Sequence, residues 1–208
     1  YNYYGQLGLG GGGNKKSPDL IRALSNVSGI AAGASHSLAL TDEGKVYAWG
    51  YNSDGQLGLG TSGYENNKNS PVLIPTTDLS NVSGIAAGDL HSFALTTNGE
   101  VYVWGRNYSG QLGLGTSGNG ADESSPVLIT ALSNITVSGI AAAGNHSLAF
   151  TTNGEVYAWG RNSDGQLGLG TSGADEYSPV LITDLSNVSG IAAGFYHSLA
   201  FTTNGEVY

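Results

Sequence analysis

Hydrophobic and polar residues alternate along short segments of this chain. The segments "HSLALT", from residue 36, and "KVYAWG", from residue 45, both alternate over their length, which is typical of half-buried β-strands. Asp42-Glu43-Gly44 joins them in this copy, and Thr-Asn-Gly joins their counterparts in the later copies. Asn-Gly favours a tight hairpin turn because both residues adopt positive φ at little cost. The pattern predicts an antiparallel hairpin in each copy.

Two further segments complete the repeat. "GIAAG" is small and apolar, which suits a strand packed closely against its neighbours, and "SPVLI" predicts a fourth strand. A proline at the start of a strand is tolerated because its missing N–H is not needed there. No segment has helical periodicity. Four short strands per unit favour the blade of a β-propeller, with a solenoid as the competing architecture.

The phase of the repeat defines the predicted units. Residues 1–4 correspond to residues 51–54, and Tyr208 corresponds to Tyr47, so the chain begins and ends inside a unit. We predict an all-β chain that forms a β-propeller of four-stranded antiparallel blades, with one blade split between the N- and C-termini. The four units are approximately residues 23–74, 75–129, 130–182, and 183–208 completed by 1–22. Four blades of a larger, seven-bladed propeller are the alternative.

Composition removes several classes of function. The formal charge is −9, and the seven lysine and arginine residues never cluster in runs longer than two, which disfavours nucleic-acid binding. The absence of cysteine excludes disulfides and thiolate sites. No apolar run approaches the roughly 20 residues of a membrane span. Because methionine is also absent, we expect residue 1 not to be a translational start and the chain to be a processed product or part of a longer one.

The template "GIAAGxxHSLALTxxGxVYAWGxNxxGQLGLG" resembles the regulator of chromosome condensation repeat family, closest in style to its secreted or surface prokaryotic members. The resemblance covers essentially the whole chain and implies a propeller of four-stranded blades. It also implies chiefly structural roles for the repeated histidines and tryptophans, which are His36, His91, His146, His197, Trp49, Trp104 and Trp159.

Two repeat positions carry predictions of their own. Ala143 stands where the other units have Gly33, Gly88 and Gly194, so this position is predicted not to require positive φ. An asparagine recurs after each Trp-Gly, as Asn52, Asn107 and Asn162, and we predict that it hydrogen-bonds the local backbone of a turn.

Catalytic chemistry is not indicated. No paired carboxylate, no nucleophile with its base and no phosphate-binding loop recurs in the repeat. We therefore predict no enzyme activity, no cofactor and no metal site. Guanine nucleotide exchange and enzyme inhibition are activities of members of the resembled family, and we favour them less for this chain. The exchange factor's partner-contacting insertion has no counterpart here, and its basic surface is missing.

Differences between the copies mark a candidate binding surface. The copies vary in the pair before each His-Ser, in the residues after Trp-Gly and in the loops after "GQLGLG", where aromatic residues gather. Exposed tyrosine is a common anchor of protein interfaces. The candidate residues are Tyr3, Tyr4, Tyr64, Asp89, Leu90, Tyr108, Asn145, Tyr177, Phe195 and Tyr196. Neutral drift in unconstrained loops is the competing explanation.

We predict a non-enzymatic module, extracellular or at the cell surface, that binds a protein partner or other copies of itself. Self-assembly would use its split terminal blade. A carbohydrate-binding, lectin-like propeller is the alternative. At one equivalent place, each unit also carries an Asn-x-Ser/Thr sequon that a secreted protein can glycosylate; Asn107 and Asn145 are extra matches. Copying of one ancestral unit produces the same regularity. The asparagines at the equivalent place are Asn26, Asn81, Asn134 and Asn187.

Overall fold

The computed structural model describes residues 1–75 and 79–208. Within these ranges the chain forms fourteen β-strands and two short 3-10 helices, Tyr64–Asn66 and Thr130–Leu132. The strands are β1 Val27–Ala32, β2 His36–Thr41, β3 Val46–Gly50, β4 Lys68–Leu73, β5 Val82–Ala87, β6 His91–Thr96, β7 Val101–Gly105, β8 Glu123–Leu128, β9 Val137–Ala142, β10 His146–Thr151, β11 Val156–Gly160, β12 Glu176–Leu181, β13 Val188–Ala193 and β14 Ser198–Thr202. Residues 76–78, at the start of the second predicted unit, lie outside the described residues.

The strands form successive antiparallel sheets in chain order. β1 to β4, β5 to β8 and β9 to β12 each make a four-stranded blade, and β13 pairs with β14. The predicted hairpin is present in each blade; in the first, His36 lies opposite Gly50 and Leu40 opposite Val46. The expected all-β propeller of four-stranded antiparallel blades is thereby confirmed.

Hydrophobic side chains fill the space between neighbouring blades. β1, β5, β9 and β13 share the sequence VSGIAA and contact one another in succession, because their small side chains let the backbones approach. Each hydrophobic cluster includes residues of two consecutive blades: Leu38 and Leu40 of the first pack with Ala94 and Trp104 of the second. The blades are thus held together mainly by apolar burial.

The loop between the third and fourth strands crosses to the next blade. Residues 55–60 leave β3, and the amide of Gly60 donates to the carbonyl of Ser124 in β8, 2.8 Å away. Residues 5–10 contact the first blade in the same way, with the amide of Gly10 donating to Asn69 O at 2.9 Å. Each "GQLGLG" segment therefore packs on the blade that follows it.

The fourth unit has two strands and one isolated bridge, between Phe201 and Val207. Residues 1–22 carry no strand, and within the described part of the chain no backbone hydrogen bond joins them to residues 183–208. The completion of this unit by residues 1–22 is not formed in the structure and stays a prediction. No helix among the described residues is long and apolar enough to cross a membrane.

Candidate interaction face and the contacts that support it

One face of the propeller carries the variable loops. In every blade the first and third strands end at this face and the second and fourth strands begin there. We call it the loop face, formed by residues 1–17, 33–35, 51–67, 88–90, 106–122, 143–145, 161–176 and 194–197. All ten candidate residues lie on it or at the first residues of a strand that starts there. Six of them are exposed aromatic residues: Tyr3, Tyr64, Tyr108, Tyr177, Phe195 and Tyr196.

A buried asparagine fixes the start of each loop. The Oδ1 of Asn52 accepts from the amide of Leu57 at 3.0 Å, and its Nδ2 donates to the carbonyl of Thr61 at 2.8 Å. The same pair of bonds recurs at Asn2, Asn107 and Asn162. The prediction that these asparagines hydrogen-bond the local backbone is confirmed.

The loops of unequal length share a second anchor that the sequence analysis missed. The amide of Asn52 donates to the side chain of Asn67, 2.8 Å away. In the next two units the acceptor is an aspartate, Asp122 or Asp175. One Asn or Asp near the end of each loop therefore ties it back to its start, and the differing loop lengths hid this match.

Histidine and serine side chains join consecutive blades. The Nε2 of His36 lies 2.8 Å from Ser92 Oγ in the next blade, and the same pair recurs as His91 with Ser147 and His146 with Ser198. His36, His91 and His146 are buried. His197 is exposed, and within the described residues no serine of a further blade faces it.

The serine hydroxyl fixes the tautomer of its histidine, and burial keeps the ring neutral. Ser92 Oγ donates to the carbonyl of Gln56 at 2.9 Å, so its single proton is used and it accepts from His36 Nε2–H. Burial lowers the pKa of His36 to about 4. For His91, burial and the neighbouring imidazoles of His36 and His146 lower the pKa to about 3. These rings are neutral at pH 7 and act as hydrogen-bond donors between blades.

The repeated tryptophan donates to the same glutamine carbonyl as the serine of its blade. Trp104 Nε1 donates to Gln56 O at 2.9 Å, and Trp49 and Trp159 bond Gln6 and Gln111 in the same way. A Cβ on Gly58 would lie 2.8 Å from Trp104 Nε1, and Gly58 has a φ of +67°. The glycines of "GQLGLG" therefore provide both the backbone conformation and the room for the ring of the next blade.

The glutamine side chain meets the residue before His-Ser of the next unit in one case: Gln111 Nε2 donates to Asn145 Oδ1 at 3.3 Å. Leu90 and Tyr196 occupy the position of Asn145 in the second and fourth units. In the glutamines of the units before these two, Gln56 and Gln166, the buried Nε2 has no partner among the described residues.

Tyrosine rings cluster on the loop face of the first unit. Tyr4 lies 4.9 Å from Tyr3 and 4.5 Å from Tyr51, and Tyr51 lies 5.4 Å from Tyr64, all between ring centroids. We call these four residues the tyrosine cluster; Tyr1 extends it by stacking on Tyr3 at 6.5 Å. Burial, together with the hydrogen bond and proximity of Tyr64, raises the pKa of Tyr51 to about 12, although Ser53 opposes the shift.

Arginine replaces Tyr51 at the equivalent position of the next two units. The guanidinium carbon of Arg106 lies 5.6 Å from the ring centroid of Tyr108, and that of Arg161 lies 5.4 Å from Tyr196. Arg161 is also 3.4 Å from the carboxylate of Asp164. Both distances to the rings are within the range of cation–π attraction.

Acidic residues surround Arg106. Burial raises the pKa of Asp54, the carboxylates of Asp122 and Asp89 add to this shift, and Arg106 opposes it. The described residues contain no group of three or more His, Asp or Glu side chains arranged to hold a metal ion.

The sequon asparagines lie at the opposite face. Asn26, Asn81 and Asn187 are exposed and have φ values of 54°, 54° and 56°. Asparagine is among the few residues that adopt this conformation readily, so the backbone supplies a reason for its recurrence. Asn134 is exposed as well but is absent from the positive-φ positions. Glycosylation of these residues stays a prediction.

The backbone conformation explains why alanine can stand at position 143, where the other units have glycine. Gly33, Gly88 and Gly194 do not have positive φ, which confirms the expectation drawn from Ala143. Close packing restricts the position instead: a Cβ on Gly33 would clash with the ring of His36 in the same unit and would lie 2.5 Å from Gly88 O. Ala143 is buried at this position.

The fold and these contacts between blades define a β-propeller domain. Residues 1–208 match the family model described as the RCC1-like domain. The chain belongs to this family, as the sequence resemblance indicated.

Known proteins of this family share the whole length of the chain. It is 34% identical over 211 residues to the ultraviolet-B receptor UVR8 of Arabidopsis thaliana, covering 100% of this chain and 46% of the receptor. It is 35% identical over 213 residues to the probable E3 ubiquitin-protein ligase HERC6 of Homo sapiens, covering 100% of this chain and 20% of the ligase.

Among solved structures, yeast RCC1 (Prp20) bound to Kap60 superposes with a TM-score of 0.78 and 29% identity, covering 92% of this chain and 44% of the yeast protein. The chain thus spans less than half the length of each of these three proteins. All three are eukaryotic, so they add no support to the likeness with secreted or surface prokaryotic members.

Proposed function

We propose that this chain is a non-enzymatic protein-interaction module that binds its partner through the loop face. One observation carries the proposal: the ten candidate residues that vary between near-identical units all belong to this single face. The strands and the His-Ser-Gln contacts repeat almost unchanged beneath them. A constant framework with variable, exposed aromatic residues is the composition expected of a binding surface.

A relative with this fold also binds a protein, since yeast RCC1 was solved with Kap60 bound. The activities of the longer relatives are not carried over, because the chain spans only part of each. The extracellular or cell-surface location expected from the sequence is a separate prediction, to be checked by cell fractionation.

Photo-crosslinking tests the proposal. A photoreactive phenylalanine analogue replaces Tyr108 on the loop face or Asn153 in the hairpin turn at the opposite face, and the protein is irradiated in a cell extract. We expect discrete crosslinked proteins from position 108 that disappear when Phe195 and Tyr177 are also changed to alanine. Equal crosslinking from position 153 would contradict the proposal.

Association between copies is a second candidate. Ser37 Oγ donates to Gln6 O, and no described histidine donates to it, while His197 is exposed. These are the two halves of the pair that joins blades elsewhere, and the apolar residues Ile30, Leu199 and Phe201 are exposed beside them. Native mass spectrometry tests this: oligomers that dissociate on His197→Ala support it, and a monomer at all concentrations rejects it.

A further inference from the structure

The tyrosine cluster of the first unit lacks the arginine that is present at the equivalent places in the next two units. There, an arginine of the chain itself lies over a tyrosine ring, as Arg106 does over Tyr108 and Arg161 over Tyr196. In the first unit the equivalent residue is Tyr51. Within the described chain, no arginine or lysine is recorded over the rings of the cluster.

We propose that the tyrosine cluster binds an arginine side chain of the partner protein. This inference rests on the proposed function, because it assigns the chemistry of the partner segment that contacts the loop face. The rings are available: Tyr3 is 76% exposed and Tyr64 is 64% exposed. The planar guanidinium stacks on aromatic faces more readily than the compact, strongly hydrated lysine ammonium.

The contact around Arg161 shows which groups hold a guanidinium on this surface. The guanidinium lies over the ring of Tyr196, and its Nη2 is 3.4 Å from a carboxylate oxygen of Asp164. The cluster also has a carboxylate close in sequence, because Glu65 follows Tyr64 in one 3-10 helix. Glu65 is exposed and, within the described residues, forms no ion pair.

Charge complementarity favours a cationic segment. The chain carries a formal charge of −9, which attracts a basic partner over a distance of about one Debye length, roughly 8 Å at physiological salt. The faces of the tyrosine rings add local negative potential. A neutral glycan gains nothing from the net charge, so a protein segment bearing arginine is the better fit.

Fluorescence anisotropy tests the proposal with three labelled decapeptides that differ at two positions, which hold arginine, lysine or citrulline. Citrulline keeps the shape of arginine and removes its charge. We expect the arginine peptide to bind most tightly, the lysine peptide more weakly and the citrulline peptide not at all. Tyr64→Leu should weaken the arginine peptide about three- to thirty-fold, the range of a cation–π contact, and Glu65→Gln should weaken it further.

The matched control is Tyr208→Leu, which removes an exposed tyrosine outside the loop face and should leave binding unchanged. All variants should retain the wild-type melting temperature because the rings are exposed. The proposal is overturned if citrulline binds as tightly as arginine, or if Tyr64→Leu has no effect. If crosslinking from position 108 still succeeds in that case, the interaction module stands and only the arginine assignment falls.

Discussion

His91 donates from Nε2 to the hydroxyl of Ser147 in the next blade, 3.1 Å away. Ser147 in turn donates to the carbonyl of Gln111 at 2.8 Å, and Trp159 donates to that carbonyl at 3.0 Å. Gln111 belongs to the loop that leaves the blade of His91. One buried network therefore fixes two blades and the start of a variable loop together. The loop face is held by the same bonds that join the propeller.

Acid should destabilise the fold through the three buried histidines. Their folded-state pKa values are about 4, 3 and 4 for His36, His91 and His146, below the ordinary value of 6.5. The unfolded chain therefore binds more protons below pH 6.5, so stability is full above that pH and falls as the pH drops towards 4. At pH 5 each histidine should cost about 2 kcal/mol. Urea unfolding between pH 7.5 and pH 4.5 measures the loss.

Thr152→Ser, at an exposed position of a hairpin turn, changes no titratable group and is the control for this pH dependence. It should leave the dependence of unfolding free energy on pH unchanged, whereas His91→Gln should reduce its slope between pH 6.5 and pH 4.5. A stability that stays constant from pH 7 to pH 5 would show that the buried rings are not the source.

Removing one serine hydroxyl should separate the contribution of the histidine–serine bond from that of the serine–glutamine bond. Ser147→Ala leaves the buried Nε2–H of His91 without an acceptor, so we expect a loss of about 2–3 kcal/mol. Ser37→Ala removes a hydroxyl that bonds Gln6 O but, in the described chain, accepts from no histidine; we expect a loss of about 1 kcal/mol or less. Equal losses in denaturant unfolding would mean that the histidine bond contributes nothing.

Two glycines of "GQLGLG" test the packing of tryptophan. Gly58 and Gly168 have φ values of +67° and +68°. The conformational free energy of placing alanine there is therefore about the same at both positions, roughly 1–2 kcal/mol. Only at Gly58 would the new Cβ meet a ring, 2.8 Å from Trp104 Nε1; at Gly168 the nearest atom is 3.8 Å away. Gly58→Ala should therefore lower the melting temperature more than Gly168→Ala does. Identical shifts would show that the loop moves without strain.

Local pattern was sufficient to predict the hairpins. Asn98-Gly99 and its counterparts supply the turn, and the alternation around them gives the register that places His91 opposite Gly105. Local pattern also indicated that the varying residues belong to loops. The hairpins and the loop positions both depend on residues that are close in sequence, so the sequence alone was enough to predict them.

Contacts between units could not be predicted in this way. Gln56 O meets Trp104 Nε1 across 48 positions, and the repeat does not say whether "GQLGLG" packs on its own blade or the next one. The tyrosine cluster was hidden for the same reason, since Tyr51 joins Tyr4 to Tyr64 only after folding. A useful signal was available in the glutamine itself, which recurs in every unit beside residues that must be buried.

Exchange of one residue between two blades tests the polar group beneath the loop face. Gln111 Nε2 has an acceptor in Asn145, whereas Gln56 Nε2 is buried without a partner among the described residues, and Leu90 occupies the position equivalent to Asn145. Leu90→Asn should supply the missing acceptor and raise the unfolding free energy by about 1 kcal/mol, while Asn145→Leu should lower it by about 1–3 kcal/mol. The Leu90→Asn/Asn145→Leu double variant keeps the composition constant and should fall between the two. A loss of stability in Leu90→Asn would contradict this expectation. It would show that the apolar contacts of Leu90 stabilise the fold more than the hydrogen bond would, and that the Gln56 amide is left without a partner because an apolar residue occupies this position of the loop face.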